Sequence, residues 1–366
     1  MQKKEQLFEL IRSNPFISQQ DLATQLGLSR SAVANYIATL VRERRILGRA
    51  YVLPDHRPIL CIGAANLDRK LRTQGPLVLG TSNPARQSES FGGVARNIAE
   101  NLVRLGAPAA LITAVGGDAS GRSLLSHADE LGIDTRGALR IDGAASGTYT
   151  AVLDHDGEMR VALADMAIND ALTPDFFASR EQQRAGAALI VADLNLSHDA
   201  VANLLDGARN DDVPMVIVAV SEPKIERLPR RLDGLRLLIL NEGELAARVG
   251  RKLAGNADIA RACEQLRQDG VQDVIVTRGG AGVSFTIRDG LSTLAAPPVA
   301  IVDVTGAGDA FAAAVVWSLF EGEIDLARAC HRGLALSSMT VACEHTVCPQ
   351  PDFSRLDGFN EPLYTT

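Results

Sequence analysis

The chain has 366 residues, 46% hydrophobic and 22% charged, the balance of an ordinary globular protein with room for two or three domains. No apolar run approaches the ~18 residues of a membrane span, and the start at Met1 lacks the apolar stretch of a signal peptide, so a cytoplasmic protein with no membrane partner is expected. Residues 1–58 carry nine Lys/Arg against five Asp/Glu, and the remainder 28 against 39, which leaves only this basic head suited to nucleic acid.

In chain order, Leu7, Leu10 and Ile11 have the spacing of a first helix. Ser18 with Asp21 fits a capping box opening a second, with Leu22 and Leu26 on its inner side. Gly27 supplies a tight turn, and Ser29 can cap a third helix containing Val33, Ile37, Leu40 and Val41. Residues 46–53 read as a small β-hairpin, which completes the order of a winged helix-turn-helix over residues 1–53. Pro54 and Pro58 bound a linker over residues 54–58.

From Ile59 the texture changes to short apolar runs alternating with helical patterns. Strands are expected at 59–63, 109–115, 188–192, 215–220, 235–240 and 274–277, in a mostly parallel sheet covered on both faces. Residues 148–154 and 158–164 alternate around Asp156-Gly157, a hairpin signal that stands outside that sheet. The five cysteines are scattered, and no His or Cys partners complete a zinc spacing, so they read as buried or idle thiols.

The strongest chemical signal is Asp303-Val304-Thr305-Gly306-Ala307-Gly308-Asp309. The apolar, β-branched residues 299–302 before it and the helix-forming residues 310–319 after it suggest a strand-to-helix junction. Free backbone N–H groups at a helix start favour anions, and glycines let a phosphate approach. Asp309 would lie beside it, placed to take a proton from an attacking hydroxyl. The alternative is a glycine-rich connection with a capping Asp.

That run, with Gly92-Gly93-Val94-Ala95-Arg96-Asn97-Ile98-Ala99 followed by Gly106 and Gly116, resembles the two signatures of the PfkB/ribokinase family, and the resemblance covers residue 59 onwards. It implies an α/β fold: a ribokinase-like, doubly wound, mostly parallel sheet over residues 59–366 with a small β lid at about 69–91 and 146–166. It implies an ATP-dependent kinase with Asp309 as catalytic base and the N–H groups of Gly306, Ala307 and Gly308 on the transferring phosphoryl. By the same resemblance Asn66 and Asp68 hold sugar hydroxyls, a role that suits a carboxylate facing two vicinal O–H groups. Gly93 and Asn97 form a second substrate-binding pair. Asn241 and Glu244 resemble the Asn-x-x-Glu that organises Mg²⁺ through water. Thr277, Gly279 and Gly282 resemble the ATP loop, and Asp303 with Thr305 a monovalent-cation site, K⁺ being the candidate ion.

Within the family, residues 92–102, 164–169, 191–197 and 337–344 look like pseudouridine kinases, which phosphorylate the 5′-hydroxyl of a C-nucleoside. Asp165, Asn169 and Asn195, with Lys224 nearby, then either face the base or ribose or stabilise loops. One departure bears on the substrate: where those enzymes show Asp-Pro-Val-Ser, this chain has Val218-Ala219-Val220-Ser221 and lacks the carboxylate. Inosine, guanosine or ribose kinase is the neighbouring reading.

In the head, Ser29 to Arg42 reads as the recognition helix, with Arg30, Ser31 and Asn35 towards the major groove and Arg49 towards phosphate. A homodimer is expected for two half-sites. A protein-contact role for the head, and a transcriptional regulator whose kinase body senses a nucleoside, are the competing readings.

Overall fold

The computed structural model describes residues 3–14, 17–47, 57–323 and 325–358. They divide into two compact units, one holding residues 1–57 with 181–187 and the other the rest.

Three helices make the first unit's core: Lys3–Ser13, Gln19–Leu26 and Arg30–Arg42. Ser18 accepts the Asp21 N–H at 3.1 Å, and Ser29 accepts that of Ala32 at 3.1 Å, so both caps form where their residue types require. Gly27 closes the second helix at φ +61°, in the left-handed region. Leu7, Ile11, Leu22, Leu26, Val33, Ile37, Leu40 and Ile46 bury one common cluster. Val41, expected among them, is exposed, because it falls a quarter-turn past Leu40 on the third helix. The expected hairpin and Arg49 lie outside the described residues, except for its first two positions.

The second unit is built on an eight-stranded sheet. Its spatial order is Gly290–Leu294, Val283–Ile287, Asp273–Thr277, Leu235–Asn241, Met215–Val218, Leu189–Asp193, Ile59–Ile62, Ala109–Ile112. The six strands from Asp273–Thr277 onwards are parallel, and the first two form an antiparallel hairpin at one edge. Alternate residues such as Ile59, Cys61, Val191 and Val216 join the main core with helices Val94–Arg104 and Ala307–Phe320. The intervening Leu60, Ile62, Ile190 and Ile217 are buried as well, as a sheet with two covered faces demands.

Four strands form a separate lid sheet in the order Ala85–Gly92, Asn66–Thr73, Thr148–Leu153, Met159–Asp165. Three sequence expectations change. The run 109–115 splits: Ala114–Gly116 leaves the main sheet and pairs with Leu139–Ile141. The edge hairpin Val283–Ile287/Gly290–Leu294 was not foreseen. Residues 299–302 form no strand; Val302 donates to the carbonyl of Val341, and Ile301 and Val302 stand exposed. Among the described residues, no helix is long and apolar enough to cross a membrane.

Candidate active site

The first strand of the main sheet ends at Gly63, whose missing Cβ leaves room for the carboxylate of Asp193. Asp193 closes its own apolar strand and is fully buried. Its Oδ2 accepts the N–H groups of Ala64 (2.9 Å) and Ala95 (3.0 Å), and its Oδ1 accepts that of Asn195 (2.8 Å). One carboxylate thus ties together the segment leading to Asn66 and Asp68, the first turn of the helix carrying Asn97, and Asn195. Burial pushes its pKa up, against those three bonds.

Asn66 and Asp68 begin the inner lid strand, and Asn66 Nδ2 donates to Asp68 Oδ1 at 2.6 Å. Opposite them runs Ala85–Gly92, with Gly92 paired to Asn66 in register. A side chain at Gly92 would overlap the Asp68 carboxylate, so glycine there lets Asp68 keep its place. Gly93 follows at φ +101° as the start of helix Val94–Arg104, tight against the Ala64 carbonyl. One turn in, buried Asn97 donates from Nδ2 to Asp309 Oδ2 at 2.7 Å, across 212 residues of sequence. The two glycine-containing stretches thereby meet in one place.

Asp309 lies in the first turn of helix Ala307–Phe320, which has no side-chain cap and starts from Gly306. First-turn N–H groups have no carbonyl one turn back to bond. Ala307 nevertheless donates weakly to the Val304 carbonyl at 3.3 Å, which leaves Gly308 and Asp309 as the groups that open outward. The Asp309 residue retains some surface, but its carboxyl lies below it. Burial there, with the carboxylates of Asp193 and Asp68, outweighs the Asn97 bond and Arg96 and pushes it up to about 7. Asp68 is raised too, mainly by burial.

Before this turn, Asp303 accepts the Thr305 N–H (2.9 Å) and Oγ1–H (2.6 Å) on one oxygen and the Lys70 ammonium (2.6 Å) on the other. Burial opposes the charge, but these partners together hold the carboxyl below its ordinary value.

Asn241 and Thr277 are register partners at the carboxyl ends of neighbouring parallel strands. Asn241 and Glu244 make a reciprocal capping box for helix Glu242–Val249: Glu244 N–H to Asn241 Oδ1 at 2.8 Å, and Asn241 N–H to Glu244 Oε2 at 2.7 Å. Burial raises the Glu244 carboxyl, and the nearby charge of Glu222 adds to it. Gly279 and Gly282 flank a short turn after Thr277, both at positive φ.

The remaining candidates scatter. Asp165 is exposed at the end of the outer lid strand. Asn169 is fully buried, its Nδ2 donating to the Met166 carbonyl at 3.1 Å while its Oδ1 has no partner among the described residues. Asn195 Oδ1 accepts from the Lys224 ammonium, whose pKa burial lowers. In the first unit Arg30, Ser31 and Asn35 are all exposed on the third helix, while Val33 is core and Tyr36 packs beside it. Asp193, Lys70 and Arg96 were missed as site residues. The one signal for Asp193 was a lone carboxylate ending an apolar strand.

Residues 57–352 match the pfkB family carbohydrate kinase model, and residues 2–46 match a winged helix-turn-helix DNA-binding model. The chain is 35% identical to the pseudouridine kinase of Escherichia coli over 81% of its own length and 93% of that enzyme's. It is 31% identical to an uncharacterized sugar kinase of the same bacterium, over 87% and 88% of the two chains. The Arabidopsis thaliana ribokinase complexed with ribose and ATP superposes with a TM-score of 0.72 at 21% identity, covering 82% of this chain and 97% of that one, a likeness of fold. The chain belongs to the pfkB family of carbohydrate kinases and is a phosphotransferase with an alcohol group as acceptor.

Proposed function

We propose that the second unit transfers the terminal phosphoryl of ATP to the 5′-hydroxyl of a nucleoside, with pseudouridine as the preferred acceptor. The observation that carries the reading is the Asn97–Asp309 hydrogen bond, which sets a carboxyl of pKa about 7 between a sugar-binding carboxylate and an uncapped helix start. The similarity to pseudouridine kinase over most of both chains supports the substrate.

Asp68 and Asn66 accept and orient ribose hydroxyls, Gly93 lets the sugar approach the backbone, and Asn97 holds it beside Asp309. Asp309 takes the proton of the attacking hydroxyl. Of the N–H groups at Gly306, Ala307 and Gly308 proposed to receive the charge of the transferring phosphoryl, Gly308 is the best exposed, and Ala307 would first give up its weak bond to Val304. Nothing in the protein would meet a Cβ at Gly308, so a need for glycine there comes from what binds. Asn241, Thr277, Gly279 and Gly282 line the nucleotide side. Asp165, Asn169, Asn195 and Lys224 are the candidates for the base or ribose side, and among these four the buried Asn169 oxygen is the atom with no partner in the described residues.

Mg²⁺ would neutralise charge between the phosphates. One Glu244 oxygen is spent on its helix cap, so the fit is to an ion held through water, as Mg²⁺ prefers. A K⁺ held by Asp303 and Thr305 would have to share the Asp303 carboxylate with the Lys70 ammonium, which lies 2.6 Å from it.

The test is phosphorylation by the full chain of pseudouridine, uridine, inosine, guanosine, adenosine and ribose, each with ATP and Mg²⁺. Pseudouridine should give the highest kcat/KM; a preference for ribose or a purine nucleoside removes the substrate assignment and leaves the kinase.

For the first unit we propose DNA binding through Arg30, Ser31 and Asn35, with Arg49 on phosphate and a homodimer supplying two recognition helices. Arg30→Ala should weaken a footprint on the DNA flanking the chain's own gene by about tenfold. Identical protection by wild type and variant, or none by either, sinks the assignment.

A further inference from the structure

One position before Asn97, the same helix carries Arg96, which is 3% exposed and acts on Asp309 through more than its charge. Its Nη1 donates to Asn97 Oδ1 at 2.9 Å and to the Phe91 carbonyl at 3.1 Å. Its Nη2 pairs with Glu100 and lies 3.3 Å from His127 Nδ1. Glu100 is gripped on its other oxygen by Arg104, at 2.6 and 2.9 Å. Arg96 Nε has no hydrogen-bond partner among the described residues.

An amide has an accepting end and a donating end. With a guanidinium on Oδ1, a flip of Asn97 would set its NH₂ against Arg96 and its oxygen against Asp309. Both contacts are repulsive while Asp309 is ionised. Freed of Arg96, the flipped amide could instead accept a proton shared by a neutral Asp309. Arg96 therefore decides which state of Asp309 the amide favours.

We propose that Arg96 is a positioning residue for phosphoryl transfer, locking the Asn97 amide so that it offers Asp309 only a donor and keeps that carboxyl ready to accept a proton. This rests on Asp309 being the base. A merely structural arginine fits the position poorly: one N–H is left unpaired, and a buried ion pair generally stabilises no more than an apolar side chain of similar volume.

The surrounding charges set the sign. Asp193 from the sheet and Asp68 from the lid push the Asp309 carboxyl up, while Asn97 and Arg96 pull it down. Arg96 itself faces Glu100 and Arg104 on its own helix, Asp68 on the lid, and His127, which lies on helix Ala119–Glu130 and whose pKa is lowered by burial and by Arg96.

The experiment is the pH dependence of kcat/KM, with ATP, Mg²⁺ and pseudouridine (or the fastest acceptor of the screen above). It compares wild type, Arg96→Met, Arg96→Met/Glu100→Gln, Arg96→Lys and Asp309→Asn, with melting temperatures alongside. The double variant removes the carboxylate oxygen that Arg96→Met would leave unpaired. In both Met variants the acid limb should move up by about one pH unit, so that kcat/KM falls about tenfold below the limb and recovers above it. Arg96→Lys keeps a cationic donor against Asn97 Oδ1 and should return the limb close to wild type. A folded Met variant that keeps the wild-type limb, or that loses the same factor at every pH, overturns the proposal. Should neither Met variant fold, an Arg96→Lys limb displaced as far as one unit overturns it and a retained limb upholds it. Near-normal turnover by Asp309→Asn would instead strike the base assignment itself, so the two failures are told apart.

Discussion

Asp309→Asn is expected to lower kcat by about 10³-fold while leaving nucleoside affinity within a few-fold, the range lost when a positioned general base is removed. The substitution is nearly isosteric, and an amide oxygen can still accept from Asn97, so the cradle around the sugar survives. What disappears is a group able to hold the hydroxyl proton. The native carboxyl sits at about 7 because of its burial and the carboxylates of Asp193 and Asp68. A base works only when ionised, so wild-type kcat/KM should fall about tenfold per pH unit below that value and level off above it. Equal turnover by variant and wild type at pH 8, or a wild-type profile flat from pH 5 to 8, would remove Asp309 from the proton path.

Gly306→Ala should cost about 10²-fold in turnover and several degrees in melting temperature. Gly306 has φ +80°, and a Cβ there would overlap the backbone carbonyl of Thr346. A backbone oxygen cannot rotate away as a side chain would, so the turn before helix Ala307–Phe320 must shift. A displacement of about 1 Å at a turn proposed to receive the phosphoryl is enough for a loss of that size. Gly308→Ala is the informative companion, because its Cβ would meet nothing in the protein. It should melt like wild type and yet lose turnover, since its obstruction appears only once a phosphate arrives. Unchanged turnover in Gly308→Ala would mean that the phosphoryl group does not approach this turn, whereas a wild-type melting temperature in Gly306→Ala would mean that the loop yields more easily than its contacts suggest.

The parts of the fold legible in the sequence were those with one-dimensional signals. Apolar β-branched runs bounded by turns located the six parallel strands, and Ser18, Gly27 and Ser29 marked the ends of the head's helices. Val283–Ile287 escaped because Ser284 and Thr286 interrupt its apolar pattern, although both are buried in the sheet. Residues 299–302 misled in the opposite way: β-branched side chains read as a strand, but their backbone bonds a helix terminus instead of a neighbouring strand. For the site, the glycines and carboxylates stood in recognisable spacing, and their meeting did not. Neither the Asn97–Asp309 bond nor the Lys70–Asp303 pair leaves a trace in periodicity, because each spans more than two hundred residues. Asn241 and Glu244 carried two readings at once, a helix start and a metal-facing pair, and the structure shows the first as a reciprocal capping box.

The buried Asp193 carboxylate has a consequence for synthesis. Its acceptors reach back to Ala64, 129 residues earlier in the chain, and its strand is one of the two that flank Ile59–Ile62. At roughly 5–20 residues per second, on the order of ten seconds separate the emergence of the two segments from a ribosome. Through that interval the first strand has only Ala109–Ile112 to pair with, and the Ala64 N–H, just before the lid strand that bears Asn66 and Asp68, lacks its carboxylate partner. The three helices of the head bury their common cluster within residues 7–46 and need no such wait for it. The nascent chain therefore carries an open sheet edge, and a truncation before residue 193 should yield protein in which the segments of Ala64 and Ala95 are not tied together.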